Sequence, residues 1–112
     1  MDDGRRAQWL RGVLDLCVLS RLADGESYGY ELSQQLDDAG LGPIRGGTLY
    51  PVLLRLQRSG MVATEWRTGD AGPARKYYRL SSDGEAALAG AVTDWRRFVD
   101  RVDHVLGEVP TS

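Results

Sequence analysis

Gly47-Thr48-Leu49-Tyr50-Pro51-Val52-Leu53-Leu54-Arg55-Leu56-Gln57-Arg58-Ser59-Gly60 reads as one short amphipathic helix with two chemically different sides. At 3.6 residues per turn Leu49, Val52, Leu53 and Leu56 fall together on one face. Gly47, Pro51, Leu54, Arg55 and Arg58 occupy the other, with Thr48 and Tyr50 at its edges. Pro51 is expected in the first turn, where its missing amide hydrogen has no intrahelical partner. Ser59-Gly60 supplies the stop. The apolar side needs a scaffold to bury it. The outer side, bearing arginines, a hydroxyl and a phenol, has the shape and the donors to enter a groove.

The scaffold begins upstream. Residues Gln8 to Ala23 form a helix in which Trp9, Leu10, Val13, Leu14, Leu16, Cys17, Val18, Leu19 and Leu22 leave only a narrow polar stripe at Arg11 and Asp15. A wall helix of a small domain needs one apolar face. This one has nearly two, so the second calls for cover from another subunit. After Asp24-Gly25-Glu26, Ser27 can cap a second helix reaching about Ala39, with Tyr28, Leu32, Leu36 and Ala39 inward. Gly29 lowers helix propensity by about 1 kcal/mol relative to Ala and points to a close helix–helix approach. The breaker cluster Gly40-Leu41-Gly42-Pro43 then makes the turn of a helix-turn-helix unit.

Downstream the period changes. Met61 to Arg67 and Lys76 to Leu80 read as strands, rich in aromatic and β-branched residues, joined by the polar, glycine-rich Thr68 to Ala74. A helix-turn-helix followed by such a hairpin is a winged helix, with Trp66 and Tyr78 expected to cover the helices. Ser82 with Glu85 fits a capping box and opens a helix running to Gly107. Its residues Leu88, Val92, Trp95, Val99, Val102 and Leu106 form a heptad seam, widened by Ala91, Phe98 and Val105. About 26 residues span roughly 39 Å, more than the roughly 34 Å diameter of a globule of this length. The seam therefore calls for a second copy, and the spare face of the first helix is the surface to meet it. The division is a winged-helix part over residues 1–81 and a dimerisation helix with a short tail over 82–112.

With 112 residues, 42% hydrophobic and 27% charged, the composition is that of one small globular domain. No apolar run approaches the roughly 18 residues needed to span a bilayer, and Met1 to Arg6 lacks the order of a secretory signal. A cytoplasmic protein without membrane partners is expected. The one cysteine, Cys17, reads as a small core residue. Overall charge is −2, yet it is unevenly placed: Arg45 to Arg79 holds seven cations against two carboxylates (+5), and the remainder seven against fourteen (−7). A basic segment on an acidic body fits a local anionic partner. An enzyme is disfavoured. His104 is the only histidine, and there is no metal-ligand spacing, phosphate-binding glycine loop or paired nucleophile. No metal or cofactor is expected.

The chain resembles the PadR family of winged-helix transcriptional regulators, of the short type with one C-terminal helix. The matching stretches are Leu14 to Leu22, Tyr28-Gly29-Tyr30-Glu31-Leu32, Gly47-Thr48-Leu49-Tyr50-Pro51 with Arg55-Leu56 and Gly60, and Arg75-Lys76-Tyr77-Tyr78-Arg79-Leu80 with Asp83-Gly84. The resemblance implies a homodimer that reads a DNA major groove with the helix from Thr48 and sets the wing near the backbone. It also implies repression of nearby genes, in some members relieved by a small molecule. The chain departs from the family pattern at Arg45-Gly46, just before the Gly-Thr pair, so base preferences do not transfer.

On double-stranded DNA, Gly47, Thr48, Tyr50 and Pro51 would form the base-facing start of the reading helix, with Tyr50 packing on the second helix as the competing assignment. Arg45, Arg55 and Arg58 would clamp phosphates, joined by Arg75 and Lys76 at the wing base. Two reading helices in a dimer predict an inverted-repeat operator. Dimer contacts are expected at Leu88, Val92, Trp95, Val99, Val102, Leu106 and Val13. Trp95 reads in two ways: as a seam residue filling the core, or, with Trp9, Val13 and Phe98, as the wall of a flat pocket for a planar hydrophobic effector. The alternative function is a winged helix used only for protein–protein contacts, against which the basic segment argues.

Overall fold

The computed structural model describes residues 2–69 and 72–108. The centre of the expected wing loop (Asp70, Ala71) and the end of the C-terminal tail lie outside them. The order is α1 (Asp3–Ala23), β1 (Ser27–Tyr28), α2 (Gly29–Leu36), a π-helical turn (Asp37–Leu41), α3 (Gly46–Arg58), β2 (Val62–Arg67), β3 (Arg75–Leu80) and α4 (Ser82–Leu106).

α1 starts five residues earlier than its apolar pattern, because the Asp2 carboxylate caps it by accepting the Arg5 amide at 2.9 Å. It buries Leu10, Leu14, Val18, Leu19 and Leu22. Ser27 does not cap α2. It is fully buried in the two-residue strand β1, which pairs antiparallel with β3 (Ser27 opposite Tyr78, Tyr28 opposite Tyr77) and makes a three-stranded sheet of order β1-β3-β2. α2 therefore starts at Gly29 with no side-chain cap. Leu32 and Leu36 are buried, but Ala39 is exposed, since the chain has left the α-helix by Asp37 and turns with Gly40 at φ +96° and Gly42 at φ +91°. Ser33 Oγ donates to the Ile44 carbonyl at 2.6 Å, fixing α2 to the approach of α3.

α3 buries Leu49, Val52, Leu53 and Leu56. Its end is a Schellman turn: the Met61 amide bonds the Leu56 carbonyl at 3.0 Å and the Gly60 amide the Gln57 carbonyl at 3.1 Å, with Gly60 at φ +78°. Pro51 is not in the first turn. It is the sixth helical residue, and it leaves the Gly47 carbonyl without an intrahelical donor.

In the hairpin, Val62, Thr64 and Trp66 stand opposite Leu80, Tyr78 and Lys76. Tyr78 is buried under the helices, whereas Trp66 is 67% exposed. Trp66 lies on the same face one inward pair nearer the loop than Tyr78, and it stays exposed rather than buried under the helices.

The cap of α4 is Ser81, one residue before the expected capping box. Its hydroxyl accepts the Gly84 amide at 3.0 Å and donates to the Gly60 carbonyl at 2.6 Å. Gly84 is the only buried residue of α4. The helix packs on α1 and β3 and then runs clear, stretching the molecule to 56 × 29 × 20 Å. Trp95, Phe98, Val102, Val105 and Leu106 are all exposed along it.

Candidate nucleic-acid interface

The outward face of α3 carries Gly47, Pro51, Leu54, Arg55 and Arg58, with Thr48 and Tyr50 beside them, all exposed. Its N-terminus begins after Arg45 without a side-chain cap. The Thr48 and Leu49 amides turn back to the Arg45 carbonyl at 2.9 Å, and the amides before them have no partner within the helix, an end at which an anion is favoured. Tyr50 packs on α2 and still reaches solvent. Its ring lies against Gly29, where a β-carbon would sit 2.8 Å from Cε1 and Cζ, yet the residue stays 52% exposed. Gly29 is thus the close approach that its position in α2 implied, and what it admits is the tyrosine ring.

Charge on this surface is sorted by pairing. Arg67 is fully engaged: it forks onto Glu26 at 2.6 and 2.8 Å, reaches Glu65 at 2.7 Å and lies 4.4 Å over the Tyr77 ring. The contact holds the Glu26 carboxyl below its ordinary pKa, chiefly through the hydrogen bond from Arg67. Arg55 is also engaged. Its Nη2 and Nε meet the two Asp15 oxygens of α1 at 2.6 and 3.1 Å, which raises the guanidinium pKa further. It therefore ties α3 to α1 as well as facing outward, with its charge already met by a carboxylate. Arg45, Arg58, Arg75 and Arg79 form no ion pair among the described residues. Lys76 meets only the neutral Gln57 Oε1 at 2.9 Å, and Arg75 lies 4.5 Å over the Tyr28 ring. Of these cations, Arg45 and Arg58 belong to α3 and its approach, Arg75 and Lys76 lie at the loop end of the wing, and Arg79 stands opposite Ala63 at its other end.

Two grooves border α3. The wing-side groove, of about 600 Å³, brings Tyr50, Arg75 and Lys76 together with Tyr28, Tyr30 and Trp66. Tyr30 and Trp66 were not among the sequence candidates. The exposed Tyr30 falls beside Gly29 in the Tyr-Gly-Tyr triplet, the one signal that marks it. The other groove lies between α3 and α1 and includes Arg45, Gly47, Thr48, Pro51 and Arg55.

A third groove, of about 520 Å³, lies between α1, the end of α2 and α4, with Val13, Cys17, Val92 and Trp95 in its wall. It unites Val13 with Trp95 but includes neither Trp9 nor Phe98, and the Phe98 ring is 6.3 Å from that of Trp95. Cys17 is half-buried there, and desolvation raises its thiol pKa, keeping it protonated and unreactive at neutral pH.

A helix-turn-helix whose second helix turns an uncapped N-terminus and unpaired arginines outward, followed by a β-hairpin wing, defines a winged-helix transcriptional regulator. The matching family model, "Transcriptional regulator PadR-like family", spans residues 18–90. The chain belongs to that family. It is 37% identical over 100 residues to Transcriptional regulator Rv3488 of Mycobacterium tuberculosis, covering 89% of each chain. Among solved structures it is similar to a PadR family transcriptional regulator from Eggerthella lenta, with a TM-score of 0.83, 37% identity, and 92% of this chain and 89% of that one covered. It is also similar to a PadR-like transcriptional regulator from Bacillus cereus, with a TM-score of 0.77, 35% identity and coverage of 90% and 99%. These neighbours are transcriptional regulators, not enzymes, and no described helix is long and apolar enough to cross a membrane.

Proposed function

We propose that the protein is a sequence-specific DNA-binding repressor acting as a homodimer on an inverted-repeat operator. The observation that carries this reading is the outward face of α3, where Arg45 and Arg58 form no ion pair among the described residues, beside the exposed Gly47, Thr48, Tyr50 and Pro51. In a major groove the first turn of α3 meets base edges. Thr48 and Tyr50 offer hydroxyls and apolar contact to a thymine methyl, and the free Gly47 carbonyl is an acceptor. Arg45, Arg58, Arg75 and Lys76 hold phosphates, with Arg55 contributing a charge shared with Asp15. The exposed heptad stripe of α4, with Val13 and the uncovered side of α1, supplies the dimer contact, which doubles the reading helix and spaces the half-sites by about one helical turn, roughly 34 Å.

Arg58→Ala together with Arg75→Ala tests the clamp assignment by titration of a palindromic fragment of the protein's own promoter. Affinity is expected to fall, and the slope of log K against log salt to shrink by about 1 for each phosphate contact removed. Unchanged affinity and slope would sink the assignment.

The groove holding Trp95 fits a planar hydrophobic effector that relieves repression. Besides its apolar wall it includes Arg21, whose Nε is buried without a hydrogen-bond partner among the described residues. Quenching of tryptophan fluorescence by a panel of planar ligands, lost in Trp95→Ala, is the expected signature. Quenching that survives the substitution, or none at all, leaves Trp95 as a seam residue only.

A further inference from the structure

The groove on the α1 side of α3 has a volume of about 530 Å³, and two of its arginines have no part in the assignments above. Arg6 and Arg11 of α1 line it together with Arg45 and Arg55, and no carboxylate is among its described lining residues. Four guanidinium groups border one depression on a protein whose net charge is −2. Among the described residues only Arg55 has an acidic partner there, since Asp15 holds it in a forked pair. Arg11 is exposed and forms no ion pair among the described residues.

Arg6 is held in place by backbone. Its Nη1 donates to the Leu41 carbonyl at 2.9 Å. Its guanidinium lies against Gly42, where a β-carbon would come within 2.8 Å of Cζ, so the bare glycine at φ +91° makes its seat. The turn that joins α2 to α3 therefore also fixes a cation from α1 beside the start of the reading helix.

Helical geometry sets where this groove lies. Tyr50 marks one edge of the exposed face of α3 and belongs to the wing-side groove, while Thr48 and Arg55 mark the other edge and belong to this one. At 100° per residue the two edges are roughly 140–160° apart around the axis. A helix in a major groove about 12 Å wide has a sugar–phosphate strand along each side. On a duplex so placed, Arg75 and Lys76 of the wing would face one strand and the Arg6–Arg11–Arg45 groove the other.

We infer that α1 is a second phosphate-binding element, in which Arg6 and Arg11 join Arg45 to hold the DNA strand opposite the wing. Phosphodiester oxygens are the ligand, and the contact positions the duplex without reading its sequence. The inference rests on the DNA-binding reading and adds to it a surface on another helix.

The test uses the full chain and a duplex enriched from a random pool, with affinity measured across about 0.05–0.3 M salt. Arg11→Ala is expected to reduce the slope of log K against log salt by about 0.9 per protomer bound, and Arg6→Ala with Arg11→Ala by about twice that. Arg11→Lys should restore the slope. The affinity ratio between the enriched duplex and a scrambled one should stay constant, and phosphate-ethylation interference should disappear on the strand opposite the wing. Because Arg11 is exposed and unpaired, Arg11→Ala carries the test even if Arg6→Ala disturbs the turn. An unchanged slope and interference pattern in a folded Arg11→Ala protein would overturn the inference, as would a collapse of the affinity ratio. Wild-type protein that binds no duplex in a salt-dependent way would instead remove the DNA-binding reading, and this inference with it.

Discussion

Val102→Asp is expected to yield a folded monomer whose affinity for a two-half-site operator is lower by about 10²- to 10⁴-fold. Val102 lies on the heptad stripe of α4 at 39% exposure, flanked by the exposed Phe98, Val105 and Leu106. Within one protomer the new carboxylate stays in water, so the fold tolerates it. In a seam it would be buried unpaired against its symmetry mate, a cost that association cannot absorb. A monomer still carries one complete reading helix and wing, so it keeps the affinity of a single half-site and loses only the gain from linking two. Sedimentation and operator titration check both parts. A Val102→Asp protein that remains dimeric, or a monomer that binds as tightly as wild type, would contradict the proposed seam.

Gly84→Ala carries the largest expected effect on stability. A β-carbon at Gly84 would collide with the Met61 carbonyl oxygen and come within 2.9 Å of Leu80 Cδ1. The Met61 carbonyl cannot yield cheaply. It accepts the Ser81 amide at 3.0 Å, and the Ser81 hydroxyl is bound to the Gly60 carbonyl at 2.6 Å. The end of α3, the start of β2 and the cap of α4 thus meet at one point, and Gly84 is what lets them close. Overpacking of this kind costs typically 1–3 kcal/mol and occasionally more. For a domain of about 100 residues, each kcal/mol corresponds to roughly 4–8 °C in Tm. Thermal unfolding at fixed protein concentration measures it. A Tm within about 2 °C of wild type, at most half the shift for 1 kcal/mol, would mean that the junction is loose.

The parts of this fold that depend on local pattern could be read from the sequence. The apolar face of α3, its stop at Ser59-Gly60, the two wing strands and the long heptad of α4 each follow from spacing along one element. The misreadings arise where a distant partner decides. Ser27 has the chemistry of a cap, but β3 lies within reach and takes Ser27-Tyr28 as a strand. Ser82 with Glu85 fits a capping box, but Ser81, whose hydroxyl is tied to the Gly60 carbonyl, takes the cap. Trp66 has the right strand parity to cover the core, yet it lies one pair nearer the loop than the buried Tyr78 and stays exposed. The same limit applies to charge. A tally along the chain picks out Arg45 to Arg79, yet in three dimensions Asp15 and Glu26 reach into that segment, while Arg6 and Arg11 join it from α1.

The central claim, that two copies of α3 read DNA through their first turn, is tested most directly by selecting bound duplexes from a random pool with the wild-type protein and with Thr48→Ala and Tyr50→Ala. The wild type is expected to enrich an inverted repeat with half-sites about one helical turn apart, and each variant to lose discrimination at the same position in both halves. No enrichment by the wild type, or an unchanged motif in both variants, would contradict it.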